Sequence, residues 1–593
     1  LNYLGPWLCR GAGLALVACP LGSLAQHVRL DRCEPTAIRS GVPTEIRLHG
    51  GGLEGVALWT SFPAKVERID EKAPRFRIST DQVGAGALRV HSEHGVSNLV
   101  YLTVTDGERP RVPSQNKSNA AEAQVIEIPA CIEGSSPNLG SHFFRFRARK
   151  GQGILLRAES RGSDFDGVLT LRSAAGKRLA QADDSQIDGF DPRIEFTAPA
   201  EGDYLLELMD SQYRGGKAYQ LVLEGPPDVH GGDSHGPASS GISEEVPVEN
   251  GEKDLVSQHV IDGREGLVRI PLALEERRFV TLTATARKLR SPAIPRLRVL
   301  KADGGVVSEA PSDVFEEREL QLWLDAGSYQ IQVLDAFGRR GPDQRFELGI
   351  HFSKPPFALS IPGQKDKKHP LLDRFVAVPG GVFLIPVQCQ RSQFAPAIGL
   401  KLESSLSCRA EQALVAENQG SAGLRLRLPA DATPGTLYDL RVRGVADLQD
   451  RSYGARLETR QVLRERDAAA EIPEAANGVL ALRVMKPPFG IEVVAPGEIE
   501  KGSTVKIPVK LAWSEGKRRF NTKLRINGLP EGVHCGEKGL NDKTDAVELE
   551  LKVDSPRENE LVNLVVEVEV DFHRQPLRVE SKPFMVKLRE KQQ

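Results

Sequence analysis

SHFFRFRARKGQGILLRAESRGSDFDGVLTLRSAAGKRLAQADDSQIDGFDPRIEFTAPAEGDYLLELMDSQYRGGKAYQLVL runs from Ser141 to Leu223. Phe144, Phe146 and Ala148 alternate with Arg145, Arg147 and Arg149. Leu169 and Leu171 keep the same period of two, as do Tyr204, Leu206 and Leu208, then Tyr219, Leu221 and Leu223. Gly, Asp, Ser and Pro cut the run at regular intervals. Side chains on a strand point alternately to opposite faces, so this pattern predicts half-buried strands of an antiparallel β-sandwich. No segment of it carries a helical period.

The same pattern extends outward along a chain of 593 residues. At a rough ~150 residues per domain that length suggests about four domains, more if they are small sandwiches. The 56 glycines and 39 prolines suit many turns. Lys plus Arg is 78 and Asp plus Glu 80, a net charge of -2, which argues against a general nucleic-acid or polyanion binder. Only 3 methionines and 6% aromatic residues speak against an aromatic-lined cleft. The expected fold class is all-β, built of tandem β-sandwich modules, immunoglobulin-like and jelly-roll-like.

The first 25 residues read as an export signal. Arg10 precedes the weakly apolar run from Gly11 to Leu21, and Ser23-Leu24-Ala25 ends in small residues. That run falls short of the ~20 apolar residues a spanning helix needs, and no later segment reaches that length. A second reading stays open: Leu16-Val17-Ala18-Cys19 resembles a bacterial lipobox, which would place a lipid anchor on Cys19. Either way the expected location is secreted or cell-surface, periplasmic or extracellular. Beyond Cys9 and Cys19 the cysteines are Cys33, Cys131, Cys389, Cys408 and Cys535, widely spread and without a CxxC pair, so zinc or thioredoxin chemistry is not expected. Cys389 and Cys408 fall in one expected domain and read either as a disulfide or as buried free thiols.

Residues 27–106 form the first expected module. Its run Ser40-Gly41-Val42, Ile46, Leu48, Gly50 and Gly52-Leu53, closed by a strand with Val100, Leu102 and Val104 on one face, resembles immunoglobulin-like IPT/TIG modules. Trp59 is expected inside it, in the core or between the sheets. Residues 107–118 are a polar linker. In 119–226, Ala123-Gln124, Val125, Ile128-Pro129 and Gly134 lead to Lys150-Gly151-Gln152. Gly162-Ser163, Phe165-Asp166, Leu179-Ala180 and Asp183-Asp184 follow, then Ala198-Pro199, Gly202-Asp203-Tyr204 and Arg214-Gly215-Gly216. This set resembles the bacterial pre-peptidase C-terminal (PPC) domain. The resemblance implies a jelly-roll-like sandwich, appended to secreted peptidases and surface proteins, that binds, localises or assists secretion without catalysing.

Residues 227–252, rich in Gly, Ser and Pro, read as a flexible linker. Residues 253–353 repeat the PPC pattern in degenerate form. Leu297-x-Val299 before Gly304 answers Leu169-x-Leu171 before Gly176, and Gly327-x-Tyr329 with Asp335 answers Gly202-x-Tyr204 with Asp210. Asp164 and Asp166 fall opposite Pro292 and Ile294, so a ligand bound through those carboxylates would belong to the first copy. Lys354-Pro355-Pro356-Phe357 recurs as Lys486-Pro487-Pro488-Phe489, and the modules that follow, 354–480 and 486–590, resemble immunoglobulin-like sandwiches of bacterial surface proteins. Between them Arg464 to Gly478 reads as a surface loop or one short helix.

The most chemical feature is an acidic set in the first PPC-like module: Asp164, Asp166, Asp183, Asp184, Asp188, Asp191 and Asp210. Calcium takes about six to eight hard oxygen ligands, which clustered loop carboxylates can supply. Asp is also a turn residue for local hydrogen-bonding reasons. The expected calcium ligands are Asp164, Asp166, Asp183 and Asp184, and no other cofactor is expected. His230, Asp233 and His235 lie in the linker, where ordering opposes metal capture. His49 and His94 read as surface residues, and the Arg145, Arg147 and Arg149 stripe as a solvated face. There is no GxSxG, no HExxH and no phosphate loop around Gly50-Gly51-Gly52, so no catalytic residues are expected. The function expected is that of a non-enzymatic secreted or cell-surface protein for extracellular binding or spacing. Its partners would be an extracellular polysaccharide, a matrix protein or a cell-envelope component, and not nucleic acid. The alternative is an accessory subunit that targets a separately encoded secreted peptidase or other hydrolase.

Overall fold

The structure is a computed structural model. It describes residues 28–589 apart from 71–72, 106–110, 160–164, 184–190, 226–253, 263–265, 287–288, 290, 311–318, 364–371, 449–450, 467–471, 515–519, 555–560 and 573. The expected signal segment with Cys19 and the linker with His230, Asp233 and His235 lie outside these residues. The chain is 61% strand and 2% helix, so the all-β reading holds.

In the first sandwich the strands Arg29–Glu34, Thr44–Gly51, Arg75–Ser79 and Lys65–Asp70 form one sheet. Ala37–Arg39, Val100–Thr105, Gly84–Ser92 and Ala57–Thr60 form the other. Alternation puts Ile46, Leu48, Leu102 and Val104 into the core between them.

The second sandwich packs two five-stranded sheets. One runs Arg111–Pro113, Ala130–Ser135, Ala218–Glu224, Gly153–Glu159, Arg193–Thr197; the other runs Gln124–Ile126, His142–Ala148, Gly202–Asp210, Gly167–Ser173, Arg178–Ala182. The third repeats this order with four strands per sheet. Leu255–Val260, Arg345–His351, Arg278–Thr285 and Glu319–Leu324 form the first, and Leu267–Leu274, Gly327–Asp335, Pro295–Lys301 and Val306–Glu309 the second. The two modules are thus topological twins. The third lacks, among the described residues, counterparts of the two short strands that cover an edge of each sheet in the second.

The fourth and fifth sandwiches share material. Strand Leu437–Leu448 pairs with Leu480–Val484 through its first residues and with Ile398–Glu403 and Arg451–Glu458 through its later ones, passing from one sheet to the next. Strand Arg374–Ala377 is two-faced: Phe375 and Ala377 enter the fourth core, whereas Val376, with Val378 just beyond, enters the fifth. A strand buried on both faces joins the two cores as one packed unit.

The first module does not stand apart. Ala87 and Leu99 pack with Leu463, Ile472 and Ala476 of the fourth, under Trp59 and Tyr101. Leu463 belongs to a short helix, Arg460–Arg466, which starts before the stretch from Arg464 to Gly478 expected as a surface loop or one short helix and runs into its first residues. Trp59 is half-buried against this cluster, between the first and fourth modules rather than in the core of its own sandwich. Its indole N–H donates to Asp439 Oδ2 at 3.2 Å, and the fully buried Arg89 guanidinium lies 5.3 Å over its ring. The reason is that its strand faces the fourth module, so an outward tryptophan is covered there.

At the same junction Arg483 Nη1 donates to His91 Nδ1 and to Gly435 O, the latter at 2.8 Å. Burial, then the charges of Arg483 and Arg89, push the His91 imidazole down from its ordinary 6.5 to about 4. The folded state therefore binds fewer protons at His91 than the unfolded one between these values. Folding stability has this contribution above pH 6.5 and loses it as pH falls toward 4. Glu54, Glu93 and His94 line the same recess and face the group. A shift of this size corresponds to at most about 3 kcal/mol. Thermal melts at pH 7.5 and 4.5 should show an acid-induced loss that His91→Gln reduces by more than half; an equal loss in both proteins would exclude His91 as the cause.

Candidate functional site

The loops closing one end of the second sandwich are organised by a single buried carboxylate. Strand Gly202–Asp210 ends with Asp210 opposite Gly167, where a β-carbon would lie 2.7 Å from the Phe165 ring, so only glycine lets the loop close over Phe165. Asp210 is 0% exposed. Its Oδ1 accepts from the backbone N–H of Gln212 and Arg214, both at 3.1 Å, and from Arg214 Nε at 2.9 Å. Its Oδ2 accepts from Arg214 Nη2 at 2.9 Å and from Asp166 N–H at 3.2 Å. Burial alone would raise this carboxyl, but the Arg214 and backbone hydrogen bonds outweigh it and hold it below the ordinary value.

The third sandwich builds the same clamp. Asp335 Oδ1 accepts from Phe337 N–H, Arg339 N–H and Arg339 Nε, each at 3.0 Å; Oδ2 accepts from Arg339 Nη2 at 2.9 Å and Ile294 N–H at 2.8 Å. Ile294 thus occupies the position of Asp166, and only its backbone is needed. The Asp-x-x-x-Arg spacing, Asp210 to Arg214 and Asp335 to Arg339, was the signal in the sequence for this feature.

Each clamp holds an aromatic ring in solvent. In the second module Tyr213 is 47% exposed beside Leu139, 80% exposed. Leu139 N–H donates to Tyr213 O at 3.1 Å, and both residues sit at positive φ, 56° for Tyr213 and 54° for Leu139. In the third, Phe337 is 64% exposed with the Arg339 guanidinium 5.2 Å over its ring. Aromatic side chains on loops braced by a buried ion pair present apolar area without a large ordering cost, which suits recognition.

The expected calcium residues divide. Asp164 and Asp184 lie outside the described residues. Asp166 is described, and Ser211 Oγ donates to its Oδ2. Asp183 is described at the end of strand Arg178–Ala182. Asp210, from the wider acidic set, is taken up by Arg214 and has no lone pairs to spare. Among the described residues no three His, Cys, Asp or Glu side chains gather in a metal-holding group. His49 pairs with Glu34 at 3.0 Å, and Arg147 with Glu201 at 3.2 Å on a solvated face. Cys389 and Cys408 are free thiols, as are Cys33, Cys131 and Cys535. Among the described residues no helix is long and apolar enough to cross a membrane.

Residues 140–208 match the family model of the bacterial pre-peptidase C-terminal domain, so the chain carries a PPC domain. A probable subtilase-type serine protease of Deinococcus radiodurans is 41% identical over 116 residues. That match covers 19% of this chain and 15% of the protease. Among solved structures, the pre-peptidase C-terminal domain of a Bacillus anthracis collagenase is similar at 18% identity, covering 17% of this chain and 95% of that domain, TM-score 0.15. The Yersinia pseudotuberculosis adhesin InvE is similar at 8% identity, covering 39% and 58%, TM-score 0.13.

Proposed function

We propose that the chain is a non-catalytic secreted or cell-surface protein whose sandwich modules bind and space components outside the cell. One observation carries this reading: a PPC module and its topological twin each present a solvent-exposed aromatic on a loop held by the same buried Asp–Arg clamp. Strands serve as scaffold and loops carry recognition. The ligand class is an extracellular polysaccharide, a matrix protein or another envelope component. Calcium held by Asp164, Asp166, Asp183 and Asp184 belongs to the same proposal, as the element that would order the loops of the first copy.

The test is capture from envelope extract by the full chain and by a Tyr213→Ser, Phe337→Ser double variant. Loss of an aromatic anchor at an interface typically costs about 2 kcal/mol or more, so capture should fall at least about tenfold in the double variant. Equal capture by both proteins removes the aromatic loops from the proposal. The calcium element is read separately, by titration calorimetry and melting at millimolar Ca²⁺; no heat and no shift would remove it. A second reading rests on the protease match: the chain is an accessory subunit that targets a secreted hydrolase encoded elsewhere. A hydrolase co-purifying with the chain favours that reading, whereas a polysaccharide or matrix protein favours the first. Turnover of peptide or glycoside substrates by the purified chain alone would overturn both.

A further inference from the structure

The twin modules differ at their sheet edges, and the difference is directional. In the second module strand Ala130–Ser135 is covered by the short parallel strand Arg111–Pro113, in the register Arg111 to Cys131, Val112 to Ile132 and Pro113 to Glu133. The corresponding strand of the third module is Leu255–Val260. Ala130 faces Leu223 and Leu255 faces Ile350, at the same place in the twin neighbouring strands, so Cys131 corresponds to Val256 and Glu133 to Gln258. Among the described residues nothing pairs with the outer side of Leu255–Val260. Cys131 is 6% exposed; Val256 is 58% and Leu255 40%.

Among the described residues nothing takes up the backbone groups on the outer side. Ile261 N–H donates to Gln344 O at 2.9 Å, continuing the antiparallel ladder, so the odd-numbered residues turn their backbone groups inward to strand Arg345–His351. By the alternation of such a ladder Val256 and Gln258 turn N–H and C=O outward. The twin shows what uses them: Ser136 N–H likewise donates to Lys217 O at 2.8 Å, and the outward Glu133 C=O accepts from Ser114 N–H, beside the covering strand, at 2.7 Å.

Edges are ordinarily guarded by charge, proline or a bulge. Leu255-Val256-Ser257-Gln258-His259-Val260 has no Lys, Arg, Asp, Glu or Pro, and its register runs without a shift. The other sheet of the same module is guarded. Arg145, which in the second module lies opposite Val125 of a parallel covering strand, corresponds to Pro271, which has no N–H to offer. The far edge of the first sheet is also occupied: Trp323 Nε1 donates to Ser392 O of the fourth module at 2.8 Å.

We propose that the edge Leu255–Val260, uncovered among the described residues, is a strand-addition site that takes an extended, uncharged segment of a partner polypeptide. The segment runs parallel to the edge, in the slot that Arg111–Pro113 fills in the twin. Its backbone bonds Val256 and Gln258, and an apolar side chain covers Val256 and Leu255. This surface is separate from the clamp loops, so its failure leaves the function proposed above untouched.

The probe is a phage-displayed library of random decapeptides panned on the full chain, followed by a synthetic peptide of the enriched sequence. Val256→Pro removes the outward N–H, and Val256→Lys adds a guarding charge. Neither touches an inward hydrogen bond, so both variants should melt within a few degrees of the parent. The peptide should bind each variant at least tenfold more weakly, and hydrogen exchange at the Val256 and Gln258 amides, fast in the free chain, should slow at least tenfold in the complex. Several results would overturn the proposal: no enriched peptide that depends on Val256, unchanged affinity in both variants, or amides already protected in the free chain. Sedimentation showing a dimer that Val256→Lys dissolves would also overturn it, because the edge would then pair with a second copy.

Discussion

Asp335→Ala should destabilise the third sandwich by about 3 kcal/mol, the lower end of the range for removing one partner of a buried ion pair. Asp335 is 1% exposed and accepts five hydrogen bonds. Its removal leaves the N–H groups of Ile294, Phe337 and Arg339 without their acceptor. The cost sits at the lower end because the Arg339 side chain is 33% exposed and can turn to water. Asp335→Asn keeps an acceptor oxygen and should cost less. The effect has a defined pH dependence. Burial raises this carboxyl, but the Arg339, Ile294 and Phe337 hydrogen bonds hold it below the ordinary 3.8. A depressed carboxylate contributes stability that is present above its unfolded value and lost as pH falls through its folded value. The gap between parent and Asp335→Ala should therefore be full at pH 7 and shrink below pH 4. Chemical unfolding followed by hydrogen exchange in strands Gly327–Asp335 and Pro295–Lys301 reads it out. A loss below about 1 kcal/mol at pH 7 would mean the clamp is ornamental. Asp210→Ala tests the same account in the second sandwich.

That carboxylate also shows where reading the sequence stops. Period-two alternation identified the strands because burial on one face is a local property: Phe144, Phe146 and Ala148 are each 1% exposed or less, as Leu169 and Leu171 are. A carboxylate's role depends on its partner. Asp210 stood among calcium candidates because acidic loop residues look alike in sequence, while Arg214 four residues on decides the matter by filling its lone pairs. Trp59 packs against a buried cluster, but one shared with the fourth module and not the core of its own sandwich, for a related reason. Its partner Asp439 is 380 residues away, and nothing local records that a second module covers the strand. Junctions between modules use ordinary outward-facing residues, so alternation assigns them to solvent. The open edge at Val256 became legible only through its twin, because an edge and a central strand share one side-chain pattern.

Glu567→Ala should cost about 3 kcal/mol and loosen the fifth sandwich from the fourth, because it removes the buried carboxylate that the half-buried guanidinium groups of Arg425, Arg525 and Arg578 share. Glu567 is 0% exposed on strand Leu561–Phe572. Arg425 of the fourth module reaches it through Nη2 at 2.6 Å, Arg525 pairs with it from within the fifth, Asn527 Nδ2 donates at 3.0 Å, and Arg578 Nε stands 3.7 Å off. Burial pushes its carboxyl up, yet the bond and charge of Arg425, then Arg525, bring it below its ordinary value. Its stabilisation is therefore lost toward acid, as for Asp335. Arg427 adds a second inter-module pair with Glu580 at 2.6 Å, and Glu411 accepts from both arginines, at 2.9 Å from Arg425 and 2.6 Å from Arg427. The network crosses a junction already joined by Val376 and Val378, so the expected effect has two parts: loss of charge compensation and release of a packed contact. A double-mutant cycle between Glu567 and Arg425 separates them, because it isolates the pairwise term. A coupling of about 1.5 kcal/mol or more assigns the rigidity of the junction to the ion pair. A coupling below about 0.5 kcal/mol, with the single-variant loss intact, would assign it to the shared hydrophobic strand instead. Salt discriminates further, since a buried pair should keep its coupling in 1 M NaCl, where screening falls to about 3 Å and exposed pairs such as Arg147 with Glu201 lose theirs.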